Sequence, residues 1–309
     1  MNDTSRESIA DAVKGHWVET KSPTWFLPYA QLARFERPIG WWLLLLPCWW
    51  SVALASTASG DGWVNIWHVV LFMVGAIVMR GAGCTYNDVV DEDIDMAVAR
   101  TRMRPIPSGR VTKKKAVLFA VFLCFIGLAV LLQFNWFSVI LGFCSIFFVA
   151  IYPFMKRITN WPQLCLGFAF SWGALMGWAA HFGELSLAPV LLYIGAIMWT
   201  IGYDTIYAHQ DKEDDALVGV KSTARLFGDK TKQWLVVFYG GATALFAASF
   251  VLAGAGPAAF IGLALGVGHM AYQLIRLDID NPDQCLAMFR SNRDYGLIVF
   301  AGLVVDTLV

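Results

Sequence analysis

The sequence is poor in charged residues. Asp, Glu, Lys and Arg make up 15% of its 309 residues, whereas soluble domains carry about 25%. Hydrophobic residues make up 58%, and there are 14 Trp and 22 Phe. These proportions are typical of polytopic membrane proteins, so we expect the chain to lie in a lipid bilayer.

Net charge and paired cysteine motifs are also lacking. The 23 basic and 23 acidic residues cancel, so a nucleic-acid partner would have no electrostatic support and we expect none. The six cysteines form no CxxC motif, which favours buried thiols over disulfides or a zinc site. The first 25 or so residues contain no apolar core of the signal-peptide type. We expect residues 1–33 to be a loose cytosolic or interfacial tail.

Long apolar segments fill the rest of the chain. Because about 20 apolar residues cross a bilayer, nine segments are candidate spans. They are Ile39–Ser56, Val64–Tyr86, Ala116–Gln133, Trp136–Pro153, Leu164–Phe182, Ala188–His209, Gln233–Ala253, Pro257–Ile275 and Tyr295–Leu308. The links after the first, third, fifth and seventh spans contain no Lys or Arg. The positive-inside rule therefore places the N-terminus and the other links in the cytoplasm.

The second span ends in an acidic stretch. Asn87, Asp91 and Asp95 are spaced four residues apart, so a helix would place them on one face, with Asp88 beside them. Like charges at this spacing repel one another, and a divalent cation would make the same arrangement favourable.

A second acidic stretch ends the sixth span. Asp204, Tyr207, Asp211 and Asp215 stand at i, i+3, i+7 and i+11, which is one stripe of a helix. The charge pattern places both stretches on the same side of the membrane, so we expect them to meet.

Basic residues lie in the loops that accompany these acids. Carboxylates next to Arg and Lys suit a Mg²⁺–diphosphate, because Mg²⁺ prefers hard oxygen ligands and the cations neutralise the remaining phosphate oxygens. For Arg104, Lys156 and Lys221, phosphate contact and simple positive-inside charge are both open. For Arg34 and Arg37, the alternatives are lipid headgroup anchoring and binding of a substrate carboxylate.

At this point the motifs resemble a known family. The two acidic stretches are similar to the signature motifs of the UbiA superfamily of intramembrane aromatic prenyltransferases. Five further blocks resemble the branch of that superfamily that acts on 4-hydroxybenzoate. They are Arg37-Pro-Ile-Gly40, Arg80-Gly-Ala-Gly-Cys84, Arg104-Pro-Ile-Pro-Ser-Gly109, Tyr152-Pro-Phe-Met-Lys-Arg157 and Lys221-Ser-Thr-Ala224. The resemblance covers residues 34–309, which we take as one transmembrane prenyltransferase domain.

The resemblance implies a fold and an activity. The fold would be all-α, a ring of nine transmembrane helices around a central cavity. The activity would be Mg²⁺-dependent transfer of a polyprenyl group from polyprenyl diphosphate to the 3-position of 4-hydroxybenzoate in ubiquinone biosynthesis. The location would be a bacterial inner membrane, with the active-site loops in the cytoplasm.

The resemblance also implies residue roles. The catalytic set would be Asp91, Asp95, Asp211, Asp215 and Arg157. The metal ligands would be Asp88, Asp91, Asp95, Asp211 and Asp215. The substrate-binding set would be Asn87, Asp88, Asp204, Tyr207, Arg104, Lys156, Lys221, Arg34 and Arg37.

Other functions remain as alternatives. Homogentisate, naphthoate and haem prenyltransferases use the same acidic motifs, so the acceptor is open. An ion-coupled transporter would need acids along a path across the bilayer, and here they lie at one end of the spans. A CDP-alcohol phosphotransferase would need a Gly and an Ala-Arg that the stretch from Asp91 to Asp95 lacks.

Overall fold

The computed structural model describes residues 15–97, 101–213 and 219–309, and within these ranges every regular element is helical. The helices are α1 (Trp17–Lys21), α2 (Leu27–Leu32), α3 (Ile39–Ser59), α4 (Ile66–Val90), α5 (Glu92–Ala97), α6 (Lys113–Leu131), α7 (Trp136–Ile158), α8 (Pro162–Phe170), α9 (Gly173–Phe182), α10 (Leu187–Ala208), α11 (Thr223–Phe227), α12 (Thr231–Leu252), α13 (Pro257–Arg276) and α14 (Pro282–Thr307). Short 3₁₀ turns cover His209–Asp211 and Gly228–Lys230. The predicted all-α class is confirmed.

Eight segments in the described part of the chain are long and apolar enough to cross a membrane. They correspond to the first eight predicted spans. The ninth predicted span, Tyr295–Leu308, belongs to the longer helix α14, which begins at Pro282. Its extra turns carry Arg290, Arg293 and Asp294, and this charge sets it apart from the other eight. The predicted number of nine is therefore approximate.

The predicted end of the fourth span is wrong. Helix α7 continues through Pro153 to Ile158, so Lys156 and Arg157 lie in its last turn rather than in a link. Membrane helices tolerate proline when the freed backbone groups find other partners. Positive side chains at this end of the helix also interact favourably with its dipole.

The described part of the predicted tail is largely helical rather than loose, and the cytosolic or interfacial placement of the tail stays a prediction. Helices α1 and α2 occupy most of residues 17–32, and Val18, Leu27 and Ala30 pack together in a small buried cluster. His16 caps α1, because its Nδ1 accepts a hydrogen bond from the Val18 amide.

The chain divides into two compact units. The first contains residues 1–42 and 74–130. Its core joins α2 to the loop before α6 and to the first turn of α6, through Leu32, Ile106, Val111 and Ala116. Helices α2 and α4 also approach closely in this unit, because a Cβ on Gly81 would lie 3.1 Å from the Cβ of Ala33.

The second unit contains residues 43–73 and 131–309. Here α10 packs along α12, and α13 along α14. An aromatic core includes Trp50, Trp199 and Tyr295, all fully buried. The indole of Trp50 donates a hydrogen bond to the carbonyl of Gly296, and that of Trp199 donates to Oδ1 of Asn292.

Two features fix α13 against α14. The backbones touch at Gly262 and Gly302, where a Cβ on either residue would lie 2.6–2.7 Å from the Cα of the other. The carboxylate of Asp306 accepts hydrogen bonds from the amides of Gly256 and Ala259, at 2.8 and 3.3 Å. Asp306 therefore satisfies amides at the start of α13 that have no partner within the helix.

Candidate functional site

The first acidic motif spans the end of α4 and the start of α5. Helix α4 ends at Val90 and α5 begins at Glu92, with a bend at Asp91. The four-residue spacing survives the bend, because the Asp91 amide donates to the Asn87 carbonyl at 2.9 Å and the Asp95 amide to the Asp91 carbonyl at 2.8 Å. Nδ2 of Asn87 also donates to Oδ2 of Asp91.

Burial separates the acids of the predicted site from their neighbours. Asp88 and Asp91 are fully buried and Asp95 is 4% exposed, whereas Asp93 is exposed. Carboxylates are almost never buried unless they are paired or bind a cation. This region is therefore chemically distinct from an ordinary solvated helix end.

Arg34 lies against the first of these acids. Its Nη2 donates to Oδ1 of Asp88 at 2.6 Å, and its Nη1 donates to the Gln31 carbonyl at 2.8 Å. Arg34 has a φ of +58°, the only positive φ of a non-glycine residue in the described ranges. A backbone in this region costs about 1–3 kcal/mol and is found where the surrounding structure requires it.

Arg104 connects two acids of the same motif. Its Nη1 lies 2.9 and 2.8 Å from the two carboxylate oxygens of Asp95 and 3.3 Å from Oδ1 of Asp88. The first unit thus brings together four predicted site residues, Arg34, Asp88, Asp95 and Arg104. Arg104 forms ion pairs with acids of the motif. This role adds to phosphate contact and positive-inside charge, the two roles that the sequence left open for it.

Electrostatics in this cluster are dominated by burial and by the ion pairs. Burial raises the pKa of Asp95 above its ordinary value, and Arg104 opposes that shift. Burial lowers the pKa of Arg34, but Asp88 and further negative groups outweigh it, so that the pKa of Arg34 is raised overall. The guanidinium of Arg34 is therefore a permanent positive charge within this buried cluster.

Arg37 lies beside a buried acid of its own. Its Nε is 3.5 Å from Oε1 of Glu36, which is 1% exposed. Neither carboxylate oxygen of Glu36 has a hydrogen-bond partner among the described residues. Burial raises the pKa of Glu36, and Arg37 and Arg34 oppose the shift.

The second acidic motif lies in the second unit. Asp204 and Tyr207 belong to the last two turns of α10, and Asp211 to the 3₁₀ turn that follows. All three are half-buried, and the ring of Tyr207 lies 4.6 Å from that of Phe289. Asp215 lies outside the described residues. The change to a 3₁₀ turn corrects the predicted continuous stripe between Tyr207 and Asp211.

Two predicted basic residues are joined in the same unit. The Lys221 amide donates to the Lys156 carbonyl at 2.9 Å, and Nζ of Lys221 donates to the Ile158 carbonyl at 3.0 Å. Arg157 is exposed in the last turn of α7. That the two acidic motifs meet stays a prediction.

The carboxylates of the first motif fit Mg²⁺ by their chemistry. Among the described residues, no group of three or more His, Cys, Asp or Glu side chains is arranged to hold a metal ion. Mg²⁺ is commonly held by only one or two carboxylates together with substrate phosphates. Asp88 offers a buried Oδ2 that has no hydrogen-bond partner among those same residues. Asp88, Asp91 and Asp95 could therefore supply the protein oxygens, with phosphate completing the site.

Sequence reasoning missed several buried polar residues around these motifs. Gln31 accepts a hydrogen bond from Arg110 through Oε1, and its carbonyl binds Arg34. Gln163 and Thr205 form a second buried network with Thr223, a residue of the block Lys221-Ser-Thr-Ala224 for which the sequence suggested no individual role. Isolated Gln and Thr residues carry no periodic signal. The one sequence signal that could have identified these Gln and Thr residues is that they lie close in sequence to the basic and acidic motifs.

Comparison with known proteins identifies the family. Residues 44–297 match the sequence model of a protein family that is described as "UbiA prenyltransferase family". The chain belongs to the UbiA prenyltransferase family. A similar protein from Aedes aegypti, named "4-hydroxybenzoate polyprenyltransferase, mitochondrial", is 49% identical to it over 282 residues, which are 91% of this chain and 64% of that protein. The chain thus spans slightly less than two thirds of that UbiA relative.

Solved structures of UbiA proteins have the same fold. The apo structure of a UbiA homolog from Aeropyrum pernix K1 matches with a TM-score of 0.70 and 26% identity, covering 86% of this chain and 97% of that one. A UbiA homolog from Archaeoglobus fulgidus bound to GPP and Mg²⁺ matches with a TM-score of 0.64 and 20% identity, covering 91% and 99%. The predicted UbiA-type fold and integral membrane character are confirmed.

Proposed function

We propose that this protein transfers a polyprenyl group from polyprenyl diphosphate to the 3-position of 4-hydroxybenzoate, with Mg²⁺ as cofactor, in ubiquinone biosynthesis. The observation that carries the proposal is the buried acidic motif, in which Asp88, Asp91 and Asp95 are almost fully buried and two arginines pair with Asp88 and Asp95. The name of the Aedes aegypti relative supports the substrates. The Archaeoglobus fulgidus homolog supports the metal, since it was solved with GPP and Mg²⁺.

The acidic residues would hold the metal and the diphosphate. Asp88, Asp91, Asp95, Asp211 and Asp215 are the proposed metal ligands, with Asn87 and Asp204 in support. Bound Mg²⁺ would neutralise the oxygens of the leaving diphosphate. Arg104, Lys156, Arg157 and Lys221 would bind the remaining phosphate oxygens and stabilise the charge that develops on them.

The bond changes follow from the two substrates. The allylic carbon–oxygen bond breaks, and its electron pair leaves with the diphosphate. The ring carbon ortho to the phenol hydroxyl, which is electron-rich, forms the new carbon–carbon bond, and loss of the proton from that carbon restores the aromatic ring. No nucleophilic side chain is needed. The face of Tyr207 could stabilise positive charge on the allylic carbon.

We propose Arg37 as an anchor for the carboxylate of 4-hydroxybenzoate. The guanidinium of Arg34 donates to Asp88 and to the Gln31 carbonyl, and we propose that Arg34 holds the acidic motif. Arg37 lies beside Glu36, so the acceptor carboxylate would share Arg37 with that acid. An Arg37→Gln variant should raise the KM for 4-hydroxybenzoate and leave that for the prenyl diphosphate unchanged.

The test is an acceptor panel with one prenyl donor. Purified protein receives geranyl diphosphate, Mg²⁺ and, in turn, 4-hydroxybenzoate, homogentisate and a naphthoate. We expect diphosphate release and a prenylated product with 4-hydroxybenzoate alone. Product with another acceptor would reassign the substrate within the family. Absence of product with every acceptor, together with ion flux in liposomes, would favour the transporter alternative.

Location and topology are part of the same proposal. We infer a bacterial inner membrane, a cytoplasmic N-terminus, and one catalytic domain over residues 34–309. The absence of Lys and Arg from alternate links supports this topology. A protease site inserted at Gly109 should be cleaved in inverted vesicles and one at Gly254 in right-side-out vesicles, since both residues are exposed in loops. The reverse pattern would contradict the assigned topology.

A further inference from the structure

A buried hydrogen-bond network joins three segments of the second unit. Gln163 lies in the first turn of α8, Thr205 in the last turns of α10, and Thr223 at the start of α11. Gln163 is 4% exposed and both threonines are fully buried. The Thr223 amide donates to Oε1 of Gln163 at 3.0 Å, and the two threonine hydroxyl oxygens are 2.6 Å apart.

The donors and acceptors of this network have a defined direction. A backbone amide can only donate, so the oxygen of the Gln163 side chain must face Thr223. The Thr205 hydroxyl donates to the Ile201 carbonyl at 2.6 Å. Because a hydroxyl has one hydrogen, Thr223 is the donor to Thr205. Thr223 therefore donates to both helices, through its amide to α8 and through its hydroxyl to α10.

The network lies beside residues that the proposed function uses. Thr205 directly follows Asp204, and Thr223 comes two residues after Lys221. Lys221 is in turn bonded to the carbonyls of Lys156 and Ile158. Displacement of Thr223 would therefore move Lys221 relative to the end of α7 and to the second acidic motif.

We propose that Gln163 is a positioning residue for diphosphate binding, acting through Thr223 on Lys221. This inference rests on the proposed function. Gln163 holds the amide of Thr223 in place. The contact between Thr223 and Thr205 holds the same segment against α10, the helix that carries Asp204. Together the two contacts would keep Lys221 and Asp204 in a constant relative position. A displacement of about 1 Å at such a site can cost a hundredfold in rate.

The test combines two isosteric losses with a rescue and a control. Gln163→Met removes the acceptor and keeps the side-chain length. Thr205→Val removes the hydroxyl, and Thr205→Ser restores it. Gln273→Met is the matched control, because Gln273 is also a buried glutamine, and its hydrogen bonds go to Ser291 and Tyr239 instead.

We expect Gln163→Met and Thr205→Val to raise the KM for geranyl diphosphate about tenfold. The KM for 4-hydroxybenzoate should change by less than about twofold. Thr205→Ser and Gln273→Met should retain the wild-type KM for geranyl diphosphate. Hydrogen exchange in a peptide covering residues 220–226 should be faster in Gln163→Met than in the control, with no substrate present.

The outcomes separate this inference from the proposed function. An unchanged KM for geranyl diphosphate in Gln163→Met, or an equal rise in both KM values, would overturn the positioning role while wild-type turnover still supports the enzyme. Absence of turnover in the wild type would overturn the proposed function and this role with it, whatever the hydrogen exchange. If Gln163→Met does not fold, the Thr205→Val and Thr205→Ser pair decides by the same KM criterion.

Discussion

Nη2 of Arg34 lies 2.6 Å from Oδ1 of Asp88, and both side chains are buried, at 9% and 0% exposure. This ion pair joins the segment before the first span to the end of the second span, 54 residues later. The residue that makes this contact, Arg34, is also the one with a left-handed backbone conformation. The pair therefore contributes both to the stability of the first unit and to the shape of the acidic motif.

Asp88→Asn should lower stability strongly. Loss of one partner of a buried ion pair costs about 3–5 kcal/mol, because the remaining charge has no counter-ion. We expect a fall in the thermal midpoint in detergent, and partial recovery when Arg34→Met is added. Glu92→Gln is the control, since its ion pair with Lys113 is largely exposed and is worth less than about 1 kcal/mol. Equal midpoints for Asp88→Asn and Glu92→Gln would contradict the importance of the buried pair.

Asp91→Asn and Asp211→Asn should each reduce turnover by about a hundredfold or more, because each would remove a charged oxygen from the proposed metal–diphosphate site. Their thermal midpoints should stay near that of the wild type. The control is Asp93→Asn, which alters an exposed acid of the same segment and should keep full activity. Retained turnover in either of the first two variants would remove that residue from the proposed site.

Removal of the metal should stop diphosphate release, and added Mg²⁺ should restore it. A second readout is the thermal midpoint. Because the described residues hold no group of three metal-binding side chains, Mg²⁺ together with diphosphate should stabilise the protein more than either does alone. A full stabilisation by Mg²⁺ alone would mean that the protein itself supplies a complete metal site.

Glu36→Gln should stabilise the protein at neutral pH. Burial raises the pKa of Glu36 in the folded state, so folding favours its protonated form. The stability that this group contributes is thus present below its ordinary pKa and is lost as pH rises through the raised value. The charged groups around it are Arg37, Arg34 and Glu19.

The measurement is the difference in thermal midpoint between Glu36→Gln and the wild type from pH 4 to pH 8. We expect a difference near zero at the acid end that grows in favour of the variant as pH rises. A difference in favour of the wild type at pH 8 would show that the Glu36–Arg37 pair outweighs the burial of the charge.

Asp306→Ala should destabilise the start of α13 without changing turnover. It removes both acceptors from the Gly256 and Ala259 amides, and loss of a helix cap costs about 0.5–2 kcal/mol. Thermal unfolding and steady-state activity, measured on the same preparation, check this. Asp306→Asn keeps one acceptor oxygen, so its thermal midpoint should lie between those of Asp306→Ala and the wild type. A kcat loss in Asp306→Ala would indicate a role beyond capping.

The sequence predicted the features that depend on local patterns. Apolar run lengths located the helices, and the spacing of Asn87, Asp91 and Asp95 placed these residues together even though the helix bends at Asp91. Predictions from local patterns were wrong where contacts with distant residues determine the structure. The predicted fourth span ends at Pro153, a residue that removes one backbone donor, yet helix α7 continues beyond it to Ile158.

The contacts around the motifs could not be predicted for a related reason. The arginine that pairs with Asp88 has a positive φ, which conformational propensity argues against for a residue other than glycine. The contact between Gln163 and Thr223 spans 60 residues and joins two residue types that are usually exposed. Each becomes visible only after the helices have packed.

The contact between Gly262 and Gly302 also limits how this sequence can evolve. A side chain added at either position meets the backbone of the facing helix, and no rotamer change can relieve it. Replacement of either glycine by a larger residue would create a clash with the facing backbone, whichever of the two is replaced first. Replacement of both would create two clashes. Exposed positions on α13, such as Ile261 and Leu265, can change among apolar residues without such a clash. We therefore expect the two glycines to be inherited together through lineages in which the residues around them have been replaced.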